Sequence, residues 1–319
     1  MKFLVIPSIR EHLLLNFFES WQEFGDWDAA VVVEDNPTKT FKIKESTFPI
    51  HHVSHKEIKQ ILKKDAWIIS KKDSACRTFG FLLAKQLGAE WILSLDDDTR
   101  PYQNKYICEE HLKTINSFTV CTPSAGVRTR GLPYLNLGKV EVVCNMGLWT
   151  KNGDWDAVQS LSCPELANYF TPNIKSFLAH PCQRYPFCGM NIFFNTKIVP
   201  AMYFPLMGQN ILYSRYDDIW CGWLFQKVLE HLKLCWSIGE PFIEHSRASN
   251  MFQNLVKEAP GYKLNEQLWE IINEVNLNKN SLPECVEELG IALESNSDSY
   301  ISKFGTAVQV YSSASLTIA

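Results

Sequence analysis

Glycine-rich nucleotide fingerprints are missing from this chain. Neither G-x-G-x-x-G nor G-x-x-x-x-G-K-[ST] occurs in its 319 residues, which argues against a Rossmann oxidoreductase and a P-loop NTPase. No C-x-x-C pair occurs either, so a structural zinc site is not expected despite ten cysteines. Several of those thiols fall inside expected strands and helices and read as reduced, small core residues. No apolar stretch approaches the ~20 residues that span a bilayer. Lys2 to Pro7 is too short an apolar run for a secretory signal and lacks a small-residue cleavage site. A soluble, cytoplasmic protein is the expectation. Charge of one sign is not in excess: a net charge of −4 gives no reason to expect nucleic acid or an anionic membrane as partner. Repeats and charge runs are absent too. What is present is an ordinary globular balance, 46% apolar and 21% charged, long enough for one large α/β domain or two smaller ones.

The stretch that organises the rest is Trp91-Ile92-Leu93-Ser94-Leu95-Asp96-Asp97-Asp98-Thr99-Arg100. Its apolar start predicts a strand buried on both faces. Three carboxylates at the end of such a strand repel one another unless a cation sits among them. Side chains alternate along a strand, so Asp96 and Asp98 are expected to point one way and Asp97 the other. Two hard oxygen ligands on one side suit Mn²⁺ or Mg²⁺, with phosphate filling the remaining positions. The plainer alternative is an acidic turn that merely ends the strand.

Strands are also expected at Phe3–Ile6, at 29–33 and at Trp67–Ile69. Capping boxes at Ser8-Ile9-Arg10-Glu11 and Ser54-His55-Lys56-Glu57 open helices. Asp73 or Ser74 caps a third, which Gly88 stops. This alternation predicts a mostly parallel sheet flanked by helices, which binds ligands at the carboxyl ends of its strands. Those ends carry Pro7, Ile9 and Arg10, then Glu34 and Asp35, then the three Asp. His51, His52 and His55 read as loop residues. After residue 100 the chain becomes rich in Pro, Gly, Asn and aromatics, with strand-like pieces at Val140–Val143 and Asn191–Phe194. Arg215-Tyr216-Asp217-Asp218 precedes an apolar helix, whose dipole the two acids would also serve as caps. Pro241 to Ser246 reads as a last strand carrying His245. Amphipathic helices follow around Leu264–Val275 and Pro283–Leu293. Residues 1–255 are expected as the catalytic domain and 256–295 as a helical extension packed on it, with 296–319 unassigned.

Together these features describe a metal–diphosphate site. Asp96 and Asp98 would meet the cation, and His245 is a candidate third ligand because imidazole suits Mn²⁺ better than Mg²⁺. Lys72, Arg77 or both would neutralise phosphate at a helix N-terminus.

The chain resembles the reversibly glycosylated polypeptides, also called UDP-arabinopyranose mutases. The likeness is carried by Val5-Ile6-Pro7-Ser8-Ile9-Arg10, Asp35-Asn36-Pro37-Thr38-Lys39-Thr40, Lys72-Asp73-Ser74-Ala75-Cys76-Arg77 and Asp96-Asp97-Asp98. It continues through Arg130-Gly131, Gly147-Leu148-Trp149, Cys188-Gly189-Met190-Asn191, Arg215-Tyr216-Asp217-Asp218 and His245 to Asn250, in the family's order across about residues 1–290. The resemblance implies a GT-A-type nucleotide-sugar fold, Mn²⁺ or Mg²⁺, and a UDP-sugar partner held in part by Gly189 and Asn191. It implies interconversion of UDP-arabinopyranose and UDP-arabinofuranose, a role in cell-wall or polysaccharide synthesis, and homo- or hetero-oligomers of related subunits. It also implies reversible transfer of a sugar onto an arginine, by position Arg130. A guanidinium is a poor nucleophile unless a carboxylate takes its proton, and Asp217 and Asp218 are the candidates. Three positions depart from the family: Leu137 replaces a second arginine, Asn145-Met146 replaces Ser-His, and Thr99 replaces Cys. Leucine cannot stabilise a diphosphate or a sugar hydroxyl. A glycosyltransferase with another acceptor and a non-catalytic UDP-sugar-binding subunit are therefore the competing expectations.

Overall fold

The computed structural model describes residues 1–43, 46–118, 140–164, 172–246 and 250–317. Apolar β-branched runs account for its first strands: β1 (Lys2–Ser8), β2 (Ala29–Glu34), β3 (Ile50–Val53) and β4 (Trp91–Leu95). Val31, Val32, Leu4, Val5 and Leu93 are all fully buried, as strands covered on both faces require. Five more strands follow: β5 (Thr99–Pro101), β6 (Val142–Lys151), β7 (Phe177–Leu178), β8 (Asn191–Asn195) and β9 (Cys235–His245). The sheet runs β3-β2-β1-β4-β8-β6-β9-β5, with β7 paired to β9 beside that path. Its first four strands are parallel, with Leu4 beside Ala30 and Leu93. Past β4 it is mixed: β8 is antiparallel to β4 and β6, while β6 and β9 run parallel. The α/β class with helices around a central sheet is what the sequence predicts.

Several local readings change. Trp67-Ile68-Ile69 is no strand; Lys63–Ile68 is a 3₁₀ turn. The strand lies instead at β3, on the two histidines read as loop. Each imidazole has a partner there: His51 stacks on Phe3, and His52 Nε2 lies 2.7 Å from the Glu34 carboxylate. Ser8 does not cap a helix, because β1 extends through it and its hydroxyl donates to Asp97 at 2.6 Å. The Ser54–Glu57 box forms as expected at the start of α2 (His55–Leu62). Asp73 accepts from the Ala75 N–H just before the helix Arg77–Gln86, which ends at Gly88 with φ +88°.

Residues 299–317 of the unassigned tail form a helix, Ser299–Thr317, packed on the helix Leu282–Glu294. Its buried positions Phe304, Val308, Tyr311 and Ser315 recur at steps of three and four. Small residues let the two helices touch: a Cβ on Gly305 would lie 2.3 Å from the Glu294 nitrogen. Tyr311 meets Tyr203 at 5.2 Å between ring centres, so one continuous apolar core reaches from β1 to this last helix. The nine described cysteines are free thiols, and six of them are buried. No helix among the described residues is long and apolar enough to cross a membrane.

A polar network sits inside this core. His111, fully buried on the helix Ile107–Ser117, donates from Nε2 to Asn191 Oδ1 at 3.1 Å and accepts at Nδ1 from Asn145 Nδ2 at 2.7 Å. Burial pushes its pKa down to about 3, against the Asn191 hydrogen bond. The unfolded chain takes up a proton here below the ordinary value of about 6.5 and the folded chain does not, so stability is lost as pH falls through that range. Urea titrations at a series of pH values are expected to show that slope, and His111→Gln to flatten it by about one proton between roughly pH 6.5 and 4.

Candidate functional site

The carboxyl ends of β1, β2 and β4 open onto two adjoining hollows of about 420 and 310 Å³, each within the range of small-molecule sites. Lys72, Asp73, Ser74 and Asp96 belong to both. The first hollow is faced by Pro7, Ile9, Arg10, Asp35 and Cys76. Acids dominate the second: Asp154, Asp156, Asp217, Asp218 and Glu258.

Between them stands the triple Asp, and it is a turn rather than a continued strand. The Asp96 carbonyl accepts from the Thr99 N–H (3.2 Å) and from its hydroxyl (2.8 Å), so the three side chains do not alternate. Each carboxylate instead has its own partner. Asp96 receives Arg77 at 2.5 Å. Asp97, 2% exposed, takes Ser8 and Arg10. Asp98 faces His245, Nε2 to Oδ1, at 3.8 Å, with Arg10 Nη2 at 3.6 Å from its other oxygen.

Arg77 is buried on every side. Its guanidinium donates to Ser94 Oγ, the Gly189 carbonyl, the Ser74 carbonyl and Asp96, and it lies over the Phe204 ring at 5.7 Å. Burial opposes its charge, but Asp96, Asp217 and Asp218 outweigh that and hold it protonated. Its donors are committed to the protein, whereas Lys72 is exposed where the hollows meet and is open to a ligand. Lys72 sits at φ +58°, an uncommon conformation for a side-chain-bearing residue. Gly208, itself at φ +78°, clamps it: a Cβ there would lie 2.4 Å from the Lys71 carbonyl.

A divalent cation fits at Asp98. Its buried Oδ1 has no hydrogen-bond partner, and His245 directs Nε2 at it while Nδ1 donates to the Asn152 carbonyl at 3.1 Å. That hydrogen bond assigns the proton to Nδ1 and leaves a ligating lone pair on Nε2. Burial and the charge of Asp96 raise the Asp98 pKa to about 6 against the pull of His245 and Arg10. Asp154, Cys188 and Asp218 also converge within 4.8 Å. Burial and the neighbouring acids push the Cys188 thiol up, which keeps it protonated and a poor ligand for a hard cation.

Asp217 and Asp218 open the helix Asp217–His231 at the floor of the second hollow. Asp218 accepts from the Gly189 and Ile219 N–H groups, both at 2.9 Å. Burial, with Asp154, raises its pKa to about 7 although Gly189 and Arg77 resist. Burial, Asp73 and Asp218 raise Asp217 as well. A carboxyl balanced near neutrality can both take and return a proton.

Other expected residues are placed differently. Pro7, Ile9 and Arg10 face the first hollow, and Ile9 leaves 53% of its surface open there. Asp35 reaches it too, already bonded to His55 (2.6 Å) and the Asp73 N–H (2.8 Å). Glu34 lines neither hollow: fully buried, it accepts from Asn36, from Thr40 twice over, from the Phe41 N–H and from His52. Asn191 is likewise buried, bridging His111 to the Leu148 and Pro241 carbonyls. Gly189 acts through its backbone, joining Arg77 to Asp218. Arg130 and Leu137 lie outside the described residues. Sequence reasoning missed Asp154, Trp155, Asp156 and Glu258. Glu258 comes from the helix Met251–Glu258 and accepts from Arg215 Nε (2.9 Å) and from the Ala157 N–H (2.7 Å). The spacing of Asp154-Trp155-Asp156 around one aromatic was the available signal.

Removing Arg77 strips the buried carboxylates of their counter-charge. Arg77→Met is expected to cost about 3 kcal/mol of stability, the scale for breaking a buried ion pair, read from urea unfolding at pH 7.

Residues 3–314 match the family model described as "Reversibly glycosylated polypeptide". A protein of Pisum sativum named "Probable UDP-arabinopyranose mutase 1" is 34% identical over 305 residues, covering 90% of this chain and 81% of that one. "UDP-arabinopyranose mutase 1" of Arabidopsis thaliana is 32% identical over 329 residues, covering 96% and 89%. A solved structure, mannosyl-3-phosphoglycerate synthase from Rubrobacter xylanophilus, overlaps 89% of this chain and 79% of its own at 11% identity and a TM-score of 0.40, too distant for anything to rest on it. The family model spans nearly the whole chain and the relatives match it over most of its length: this protein belongs to the reversibly glycosylated polypeptide family.

Proposed function

We propose that this protein is a divalent-metal-dependent UDP-sugar mutase that interconverts the pyranose and furanose forms of UDP-arabinose. The observation that carries the reading is the pairing of Asp98 and His245 beside two joined hollows, one with an apolar wall and one floored by acids. Relatives at 32–34% identity bear the name UDP-arabinopyranose mutase, and that activity is extended here to this chain. A cytoplasmic setting, assembly with related subunits and a part in polysaccharide synthesis belong to the same proposal.

In this reading the uridine lies against Pro7 and Ile9, and Arg10 and Lys72 meet the diphosphate. Asp98 and His245 would hold Mn²⁺ or Mg²⁺, with Asp96 as a third oxygen partly committed to Arg77. When bound, the cation offsets the charge that gathers on a diphosphate leaving group. Asp218 handles the proton. For transfer onto Arg130, the bond from the anomeric carbon to the diphosphate oxygen breaks as one to a guanidino nitrogen forms. The nitrogen's proton passes to Asp218 and UDP departs. In the attached sugar the C1–O5 bond breaks and a C1–O4 bond forms as a proton moves from O4 to O5. Reversal of the transfer returns the proton and releases the UDP-sugar in the other ring form. Leu137, in place of the second family arginine, favours one other reading: transfer of the sugar to a separate acceptor.

Incubation with UDP-arabinopyranose and Mn²⁺ followed by chromatography is expected to yield the furanose form, and chelation to abolish it. No furanose at any metal concentration would sink the mutase. UDP release only when an acceptor is supplied would favour the transferase, and intact-mass measurement with Arg130→Ala would locate any adduct. Because Asp218 must be ionised to accept a proton, turnover is expected to fall as pH drops below about 7. Asp218→Asn should lower it by roughly 10²–10³-fold with UDP affinity unchanged.

A further inference from the structure

The second hollow contains an element that the proposed chemistry does not use. Asp154, Trp155 and Asp156 are consecutive, and all three line it. They sit in an irregular stretch between β6 and the short helix Ala157–Ser162. Gly153 makes room for the ring, since a Cβ there would lie 2.4 Å from the indole nitrogen. Asp156 fixes the far end by accepting from the Gln159 N–H at 2.8 Å, and Glu258 holds the adjacent Ala157 N–H. The triplet is thus anchored on the C-terminal side of the tryptophan. An aromatic face packs on the C–H face of a sugar ring, while flanking carboxylates accept from its hydroxyls.

Charge narrows the ligand further. Seven carboxylates line this hollow: Asp73, Asp96, Asp154, Asp156, Asp217, Asp218 and Glu258. Of the four cations that accompany them, Arg77 is bound to Asp96 and Arg215 to Glu258. Lys72 stands at the junction with the first hollow, and Lys257 is exposed. Burial favours the neutral forms of Asp73, Asp217 and Asp218. Asp154 and Asp156, however, are exposed, and a sugar bearing its own carboxylate would enter beside them, which a hydroxyl-rich neutral ring does not suffer.

We infer that Asp154-Trp155-Asp156 is the sugar-recognition element of the cleft and confines it to neutral sugars, excluding uronic acids. This rests on the UDP-sugar reading, and titration calorimetry with Mn²⁺ separates the two. Should UDP itself fail to bind the parent protein, the UDP-sugar reading fails. If UDP binds, UDP-xylose is expected to bind at least tenfold more tightly than UDP-glucuronate. Trp155→Ala should weaken UDP-xylose about tenfold while leaving UDP unchanged, and Trp155→Phe should restore most of the loss. Asp154→Asn, which keeps the side-chain volume, should bring UDP-glucuronate closer to UDP-xylose by about threefold or more. Equal binding of the two sugars by the parent protein would overturn the inference, as would a Trp155→Ala loss shared equally by UDP. An Asp154→Asn protein with unchanged discrimination would overturn the charge assignment.

Discussion

A buried guanidinium holds this cleft together. Burying a cation costs several kcal/mol unless its hydrogen bonds and counter-charges are supplied, and Arg77 obtains both from the elements around it. Ser94 comes from β4, Gly189 from the approach to β8, Ser74 from the turn before its own helix, and Asp96 from the acidic turn. Its charge in turn makes tolerable an acidic floor that would otherwise expel itself. The same arginine fixes the Gly189 backbone, whose N–H holds Asp218 in place. The strand ends, the acidic turn and the helix start at Asp217 are three parts of one electrostatic unit.

Within that unit the three aspartates divide the work. Asp96 faces the shared wall of the hollows, Asp97 ties β1 to the turn through Ser8 and Arg10, and Asp98 turns toward His245 on β9. Thr99 closes the turn with its hydroxyl, so a residue differing from the family still shapes the backbone there. The unpartnered oxygen of Asp98 and the second ring nitrogen of His245 meet from strands far apart in the chain.

The parallel half of the sheet was legible because β1, β2 and β4 are short apolar runs separated by helices, where pattern and burial agree. The acids at strand ends were legible for the same reason. Their partners were not. Glu34 looked like a ligand group because it ends a strand, yet the following loop folds back and spends its oxygens on Thr40, Asn36 and Phe41. Asn191 disappeared into a buried network with His111 and Asn145 that only the pairing of β6, β8 and β9 creates. β3 was hidden because two histidines mask its character until Glu34 and Phe3 are placed beside them. The last helix was obscured by its serines, alanines and glycine, which pack closely without a strong apolar stripe.

Glu258 has a consequence for how the molecule is made. The wall facing Pro7 and Ile9 comes from the first hundred residues, together with Lys72 and the acidic turn. The opposite wall is fastened only when a glutamate more than 150 residues later reaches Arg215 and Ala157. During synthesis the wall built from the first hundred residues therefore emerges from the ribosome well before the acid-rich wall can be fastened. Vectorial synthesis of this kind delivers the acid-rich wall, and after it the last helix packed on Tyr203, long after the first wall.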